Sequence, residues 1–197
     1  MIYLLRHGET IWNVERRLQG RKDSPLTLRG ISQARAVAGL LRDLINDPST
    51  FTVVASPLAR TWQTAVIVSQ SLGLDCRAIR FEPRLQEHHF GLWEGLTWQE
   101  IEARFPDLWE QRRADKWAFE APGGESYARV AARVRSWLDE QSADSRLIVV
   151  GHGLAGRVLR GLYGSLPQAE VMEMLEPQGS LYRLAEGTIA AFQAEPD

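Results

Sequence analysis

Two histidines and two arginines stand where they could work on a phosphoryl group. His7 follows an apolar run in Leu4-Leu5-Arg6-His7-Gly8, and His152 follows another in Val149-Val150-Gly151-His152-Gly153. Arg60 comes shortly after a third, in Ala55-Ser56-Pro57-Leu58-Ala59-Arg60. Guanidinium forks give paired, charge-assisted hydrogen bonds to phosphate oxygens. A neutral imidazole is a competent nucleophile near pH 7. Gly8 and Gly153 permit close backbone approach, and Ser56 and His152 lie where helices are expected to begin, whose free N–H groups favour anions. A single histidine after a strand is more often a packed or loop residue; two, each beside glycine and joined by placed arginines, point to chemistry. Metal binding is not expected. The chain has 4 histidines, of which His88 and His89 are adjacent, and none falls in an HxH, HxxxH or HExxH spacing on an expected helix. The single Cys76 rules out an internal disulfide and a cysteine-rich metal site.

The elements that must carry these residues alternate. Ile2 to Leu5, Phe51 to Ala55, Cys76 to Phe81 and Arg146 to Val150 read as strands. Between the first two, Ile31, Ala34, Val37, Ala38, Leu41, Leu44 and Ile45 recur at helical spacing behind Thr27 as N-cap, and Asn46-Asp47-Pro48-Ser49 ends that helix. Ser56-Pro57 predicts the N-cap and first turn of a helix from Leu58 to about Leu72, and another helix runs from Gly153 to about Leu162. Leu181 to Leu184 and Ile189 to Phe192, around Glu186-Gly187, predict a terminal hairpin that could offer an edge strand to a partner chain. The expected fold is α/β, a three-layer sandwich with a largely parallel central sheet flanked by helices. Residues 1–197 are expected to form a single domain with a small helical lid inserted at about 90–126, rich in Phe90, Trp93, Trp98, Phe105, Trp109, Trp117 and Phe119 and broken by Pro106 and Pro122-Gly123-Gly124. In open α/β sheets ligands bind outside the carboxyl ends of the strands. If the three strands are neighbours, Arg6, His7, Arg60 and His152 converge on one crevice.

Composition narrows the class. The 197 residues are 44% hydrophobic and 24% charged, with Lys+Arg 23 against Asp+Glu 25 and a formal charge of -2. These are the proportions of a globular domain long enough to bury a substantial core. No basic field exists to hold nucleic acid, and no apolar run is long enough to cross a bilayer. Met1 to Leu5 is apolar, but Arg6 and His7 interrupt it where a secretory segment has to continue. The expectation is a cytoplasmic protein without nucleic-acid or membrane partners, either monomer or homodimer.

Leu5-Arg6-His7-Gly8-Glu9-Thr10 followed by Asn13 resembles the first signature of the histidine phosphatase superfamily, the phosphoglycerate mutase-like fold. Further blocks agree in order and spacing: Gln19-Gly20 through Asp23-Ser24-Pro25-Leu26-Thr27 and Gly30; Ser56-Pro57-Leu58-Ala59-Arg60-Thr61 with Gln63-Thr64-Ala65; Leu85-Gln86-Glu87 with Phe90-Gly91 and Trp93-Glu94-Gly95. Pro122-Gly123-Gly124-Glu125-Ser126 and Val150-Gly151-His152-Gly153 complete the set. The resemblance implies His7 as the nucleophile that takes up the phosphoryl group. It implies Arg6, Arg60 and His152 as its grip, and Asn13 as a further hydrogen bond. Glu87 would first donate a proton to the leaving oxygen and then activate water. Gln19, Gly20 and Gly153 fall in the same blocks and are expected at the phosphate or substrate. Glu94 and Glu125 are expected to orient their neighbours. Gly151 departs from the family's frequent Ser or Thr before the second histidine.

Two reactions share this chemistry. Cofactor-dependent phosphoglycerate mutases look longer, with an insertion rich in Arg, Lys and Pro, and typically carry an arginine for the substrate carboxylate where this chain has His88. The brief aromatic lid and His88 favour a metal-independent phosphomonoesterase acting on small-molecule phosphate esters, with no cofactor. The alternatives are a cofactor-dependent phosphoglycerate mutase and a non-catalytic phosphate-binding protein. The lid aromatics further suggest a substrate with an apolar or planar part, although Trp98, Ile101 and Phe105 at helical spacing are equally suited to packing.

Overall fold

The apolar runs of the sequence become the middle of one sheet. A computed structural model describes residues 1–194. In chain order it begins with β1 (Ile2–Arg6), α1 (Ile11–Val14), α2 (Leu28–Leu44), β2 (Thr52–Ala55), α3 (Ala59–Ser71) and β3 (Arg80–Phe81). The lid helices α4 (Trp98–Arg104) and α5 (Pro106–Ala114) follow, then α6 (Tyr127–Asp139), β4 (Leu147–Gly151), α7 (Gly153–Tyr163) and α8 (Gln168–Glu173). The hairpin β5 (Ser180–Ala185) and β6 (Thr188–Gln193) completes the order. The strands lie as β3-β2-β4-β1-β5-β6. The first four are parallel, and β5 and β6 close the sheet antiparallel.

Strand alternation splits the core in two. Tyr3 and Leu5 of β1 join Val37, Leu41, Ala65 and Val68 of α2 and α3 on one face. Ile2 and Leu4 join Val130, Val134, Leu154 and Val158 of α6 and α7 on the other. Both faces of β4 are buried, as a continuously apolar parallel strand requires. The lid belongs to the second core. Trp93, 1% exposed, stacks on Phe119 at 5.2 Å, and Ile101 is buried beside them. The insertion is therefore anchored by its own apolar side chains. Among the described residues no helix is long and apolar enough to cross a membrane.

Thr27 caps α2 as expected, its side chain accepting from the N–H of Gly30. Two sequence expectations fail. The strand expected over Cys76 to Phe81 is a 3₁₀ turn at Cys76–Ala78 with only Arg80–Phe81 paired, because the Asp75 carboxylate accepts from Arg77 N–H and curls the chain. Ser56 does not cap α3, which starts at Ala59. The cap comes from 36 residues upstream, where the Asp23 carboxylate accepts from the N–H groups of Ala59 (2.8 Å) and Arg60 (3.4 Å). A side chain brought in by tertiary folding satisfies those free donors as well as a local one.

Candidate active site

Sheet register brings the three strand ends to one level. Arg6 pairs with Gly151 across β1 and β4, and Val150 with Ala55 across β4 and β2. The next residues, His7, His152 and Ser56, leave the sheet side by side. His7 N–H is held by Gly151 O at 3.0 Å and Ser56 N–H by Val150 O at 3.1 Å. The two imidazoles, both buried, meet edge to face with centroids 5.4 Å apart. The glycines permit close approach, as expected. A Cβ on Gly8 would collide with the carbonyl of Gly30, and one on Gly153 would press on the Arg6 guanidinium at 3.3 Å.

The histidines are held in definite tautomers. His7 Nδ1–H donates to Gly8 O at 2.7 Å, which leaves its Nε2 lone pair free. Burial, then the charges of Arg60 and Arg6, hold His7 well below the usual imidazole range, so it is neutral at pH 7. Burial lowers His152 likewise, followed by Arg60, His7 and Arg6. Ser56 Oγ accepts from Leu58 N–H at 3.5 Å and lies 2.7 Å from His152 Nε2. Among the described residues His152 Nε2 is the one acceptor within reach of the Ser56 hydroxyl proton, which places that proton on Nε2 and hydrogen on His152 Nδ1. That Nδ1 is buried with no partner.

The arginines share this condition. Arg60 is tied by Nη1 to Lys22 O (2.7 Å) and Asp23 Oδ1 (2.8 Å), and by Nη2 to Gly20 O (2.7 Å). Arg6 Nη1 donates to Glu176 O. In both the Nε is buried and unpartnered. Three fixed, buried donors without acceptors, one of them neutral and two cationic, thus lie close to His7. Buried donors left unsatisfied cost about 1–3 kcal/mol each, a cost that an anion accepting from them removes. Arg6, His7 and Arg60 open into a cavity of about 300 Å³.

Glu87 also lines this cavity. Its carboxylate accepts from the N–H groups of Leu154 (3.2 Å), Ala155 (3.1 Å) and His88 (2.9 Å), so it sits on the N-terminus of α7. Asn13 lines the cavity with its Oδ1 accepting from Gln178 and Thr10, which leaves the amide NH₂ as its donating end. Gln19, Gly20 and Gly153 are cavity residues too. Gln19 Nε2 is engaged by Thr10 Oγ1 at 2.8 Å, and Gly20 contributes its carbonyl to Arg60. Of the residues expected to attack, grip or bind the phosphoryl group and substrate, all line the cavity except His152, which lies behind His7. Glu94 and Glu125 orient neighbours as expected: Glu94 accepts from Arg21 N–H and Phe90 N–H, Glu125 from Arg133 and His89 N–H.

Sequence reading missed Ser56 as the partner of His152 and Asp23 as the anchor of Arg60. It also missed Glu176, whose loop walls the cavity. Burial pushes Glu176 up to about 7, against the pull of Arg160. Asp23 could have been found from its place in the Gln19-to-Gly30 block, but nothing marks Glu176. Phe90, Trp98 and Tyr127 line the upper cavity. His88 does not. It is 4% exposed, packed between Phe90 and Tyr127 at 4.3 and 5.2 Å with both ring nitrogens unpartnered.

Residues 2–188 match the family model of the histidine phosphatase superfamily (branch 1). Over 176 residues the chain is 38% identical to a Yersinia enterocolitica protein named probable phosphoglycerate mutase GpmB, covering 86% of this chain and 77% of that one. Among solved structures it resembles a mycobacterial glucosyl-3-phosphoglycerate phosphatase complexed with VO3 (32% identity, TM-score 0.77, 92% of this chain and 88% of that one). It also resembles the alpha-ribazole phosphatase of Shigella flexneri (25% identity, TM-score 0.82, 98% of this chain and 95% of that one).

Proposed function

The chain belongs to branch 1 of the histidine phosphatase superfamily, and from that membership and the geometry of its site we propose that it hydrolyses small-molecule phosphate monoesters through a phosphohistidine. The observation that carries this reading is the trio of unpartnered donors, Arg6 Nε, Arg60 Nε and His152 Nδ1, around a neutral His7 whose Nε2 is free. The Nε2 lone pair forms the N–P bond as the ester P–O bond breaks. The trio, with the amide of Asn13, meets the charge on the transferring oxygens, an electrostatic contribution that is fixed before reaction. The leaving oxygen takes a proton from Glu87, which then removes one from water. The water oxygen displaces Nε2 at phosphorus, releasing phosphate and free His7. Proton transfer of this kind contributes about 10²–10⁴-fold.

Transfer back to substrate, as in a mutase, is the second reading, and the name of the 38% identical relative favours it. Hydrolysis is supported by the solved relatives described as phosphatases. It is supported too by His88, which is buried under two aromatic rings where a mutase arginine would reach the substrate. The test is phosphate release from p-nitrophenyl phosphate and a panel of small esters in EDTA, beside exchange between phosphoglycerates with bisphosphoglycerate added. Hydrolysis predicts release that persists under chelation, is inhibited by vanadate, and exceeds exchange. Exchange outrunning release establishes the mutase.

A further inference from the structure

The two arginines of the site are held unequally. Arg60 has three acceptors on its guanidinium, Lys22 O, Asp23 Oδ1 and Gly20 O. Among the described residues Arg6 has one, the backbone carbonyl of Glu176. Its guanidinium otherwise rests against Gly153. Where residue 176 sits therefore decides where the Arg6 fork points. Residues 174–179, between α8 and β5, form neither helix nor strand, and Leu175 is 81% exposed, so no regular ladder fixes this stretch.

Side chains fix it instead. Arg160 of α7 donates through Nη2 to Leu175 O at 3.0 Å and to the Glu176 carboxylate. Both partners of this ion pair are buried, and the Arg160 guanidinium lies over the Tyr182 ring of β5 at 3.9 Å. Arg157 adds bonds to Met172 O at 3.1 Å and Met174 O at 3.4 Å. Beyond Pro177, Gln178 Nε2 donates to Asn13 Oδ1 at 2.8 Å, so one stretch of chain holds both Arg6 and the Asn13 amide. A buried ion pair adds little net stability over apolar residues of the same volume, because desolvation offsets the attraction. Burial indeed raises the Glu176 carboxyl against the pull of Arg160. What such a pair can supply is one defined arrangement, and this one is made by the residue whose carbonyl meets Arg6.

We propose that Arg160 and Glu176 are positioning residues: by pinning residue 176 their ion pair aims the Arg6 guanidinium, and through Gln178 the Asn13 amide, at the transferring phosphoryl group. Arg160 does not line the cavity and acts only through residues 175 and 176. This rests on the reading of the His7 site as the phosphoryl site, but not on whether the phosphoryl group goes to water. A guanidinium free to swing meets the phosphoryl oxygens in the right geometry only part of the time, so binding and turnover both weaken.

The test reads Arg6 itself. With isotopically labelled arginine, NMR reports whether the Nη groups of each guanidinium are locked or rotating. Arg6 and Arg60 are assigned by the signals lost in Arg6→Lys and Arg60→Lys, and Arg60, with its own three acceptors, is the internal control. Arg160→Met and Glu176→Ala, which keeps the carbonyl but removes its anchor, are expected to free Arg6 and leave Arg60 locked. Affinity for inorganic phosphate and kcat/KM for p-nitrophenyl phosphate should each fall about tenfold. Glu176→Gln, which keeps an acceptor for Arg160, should recover part of both. Glu176→Ala, in an irregular loop, decides the matter even where Arg160→Met loosens the fold. Arg6 rotating in the wild type, Arg6 still locked in Glu176→Ala, or Arg6 and Arg60 freed together there, overturns the positioning role. Arg6 freed with weakened phosphate binding, in a protein whose wild type hydrolyses no ester, keeps that role and overturns the phosphatase reading; hydrolysis with Arg6 unmoved does the opposite.

Discussion

At the residue scale, the decisive arrangement is one in which His7 offers Nε2 because Gly8 O holds Nδ1–H, and His152 offers Nδ1–H because Ser56 holds Nε2. Ser56→Ala should free the second imidazole to take the other tautomer. We expect a stability loss of about 1–3 kcal/mol from the unpartnered nitrogen and a lower kcat, read by urea unfolding and phosphate release. Unchanged kcat would show that Ser56 does not set the tautomer. His88 gives a prediction in pH. Burial depresses it to about 4 in the folded chain against 6.5 when exposed. Between those values the unfolded chain binds more protons, so the contribution of neutral His88 is complete above pH 6.5 and is lost as pH falls toward 4. His88→Leu should remove about 3 kcal/mol of pH-dependent stability across that window, measured by chemical unfolding at several pH values. A slope matching the wild type would place the titration elsewhere.

At the element scale, loops crossing behind the site hold the reactive side chains. Asp23 both caps α3 and grips Arg60 at 2.8 Å. Asp23→Ala should cost about 0.5–2 kcal/mol for the cap, and more than that in total, since Arg60 is 1% exposed and loses its carboxylate. KM should rise with it, and a variant with wild-type KM would mean that Lys22 O and Gly20 O suffice to orient Arg60. Gly30 is a tight crossing. A Cβ there would strike the Glu9 carbonyl, so Gly30→Ala must displace the His7 loop. We expect a stability loss of at least 2 kcal/mol and strongly reduced activity, checked by thermal unfolding and kinetics. The helix starts, the parallel strands and the terminal hairpin were legible because periodicity and capping are local. Asp23 as a cap, and Cys76 to Phe81 as mostly turn, were not, since a remote carboxylate replaced Ser56 and a side-chain bond to Asp75 outweighed β-branching.

At the scale of the whole molecule, strand order does the assembling. Placing β4 between β2 and β1 sets three strand ends at one level, and this adjacency is what the sequence leaves conditional. The motifs made Arg6, His7, Arg60, Glu87 and His152 readable, whereas Glu176 was not. It comes from the irregular loop between α8 and β5, and only tertiary packing brings it to the cavity. The lid aromatics serve both of the purposes the spacing allowed. Ile101 and Trp93 are core, while Trp98 faces the cavity beneath Arg112.

The central claim is that His7 Nε2 carries the phosphoryl group. Its most direct measurement is rapid quenching of the chain with a labelled phosphate ester at alkaline pH, followed by mass spectrometry of the peptide holding residue 7. A phosphoryl group on His7 is predicted in the wild type, together with its absence and a loss of at least about 10³-fold in phosphate release in His7→Ala. Undiminished release from His7→Ala, or a phosphoryl group trapped on another residue, would contradict it.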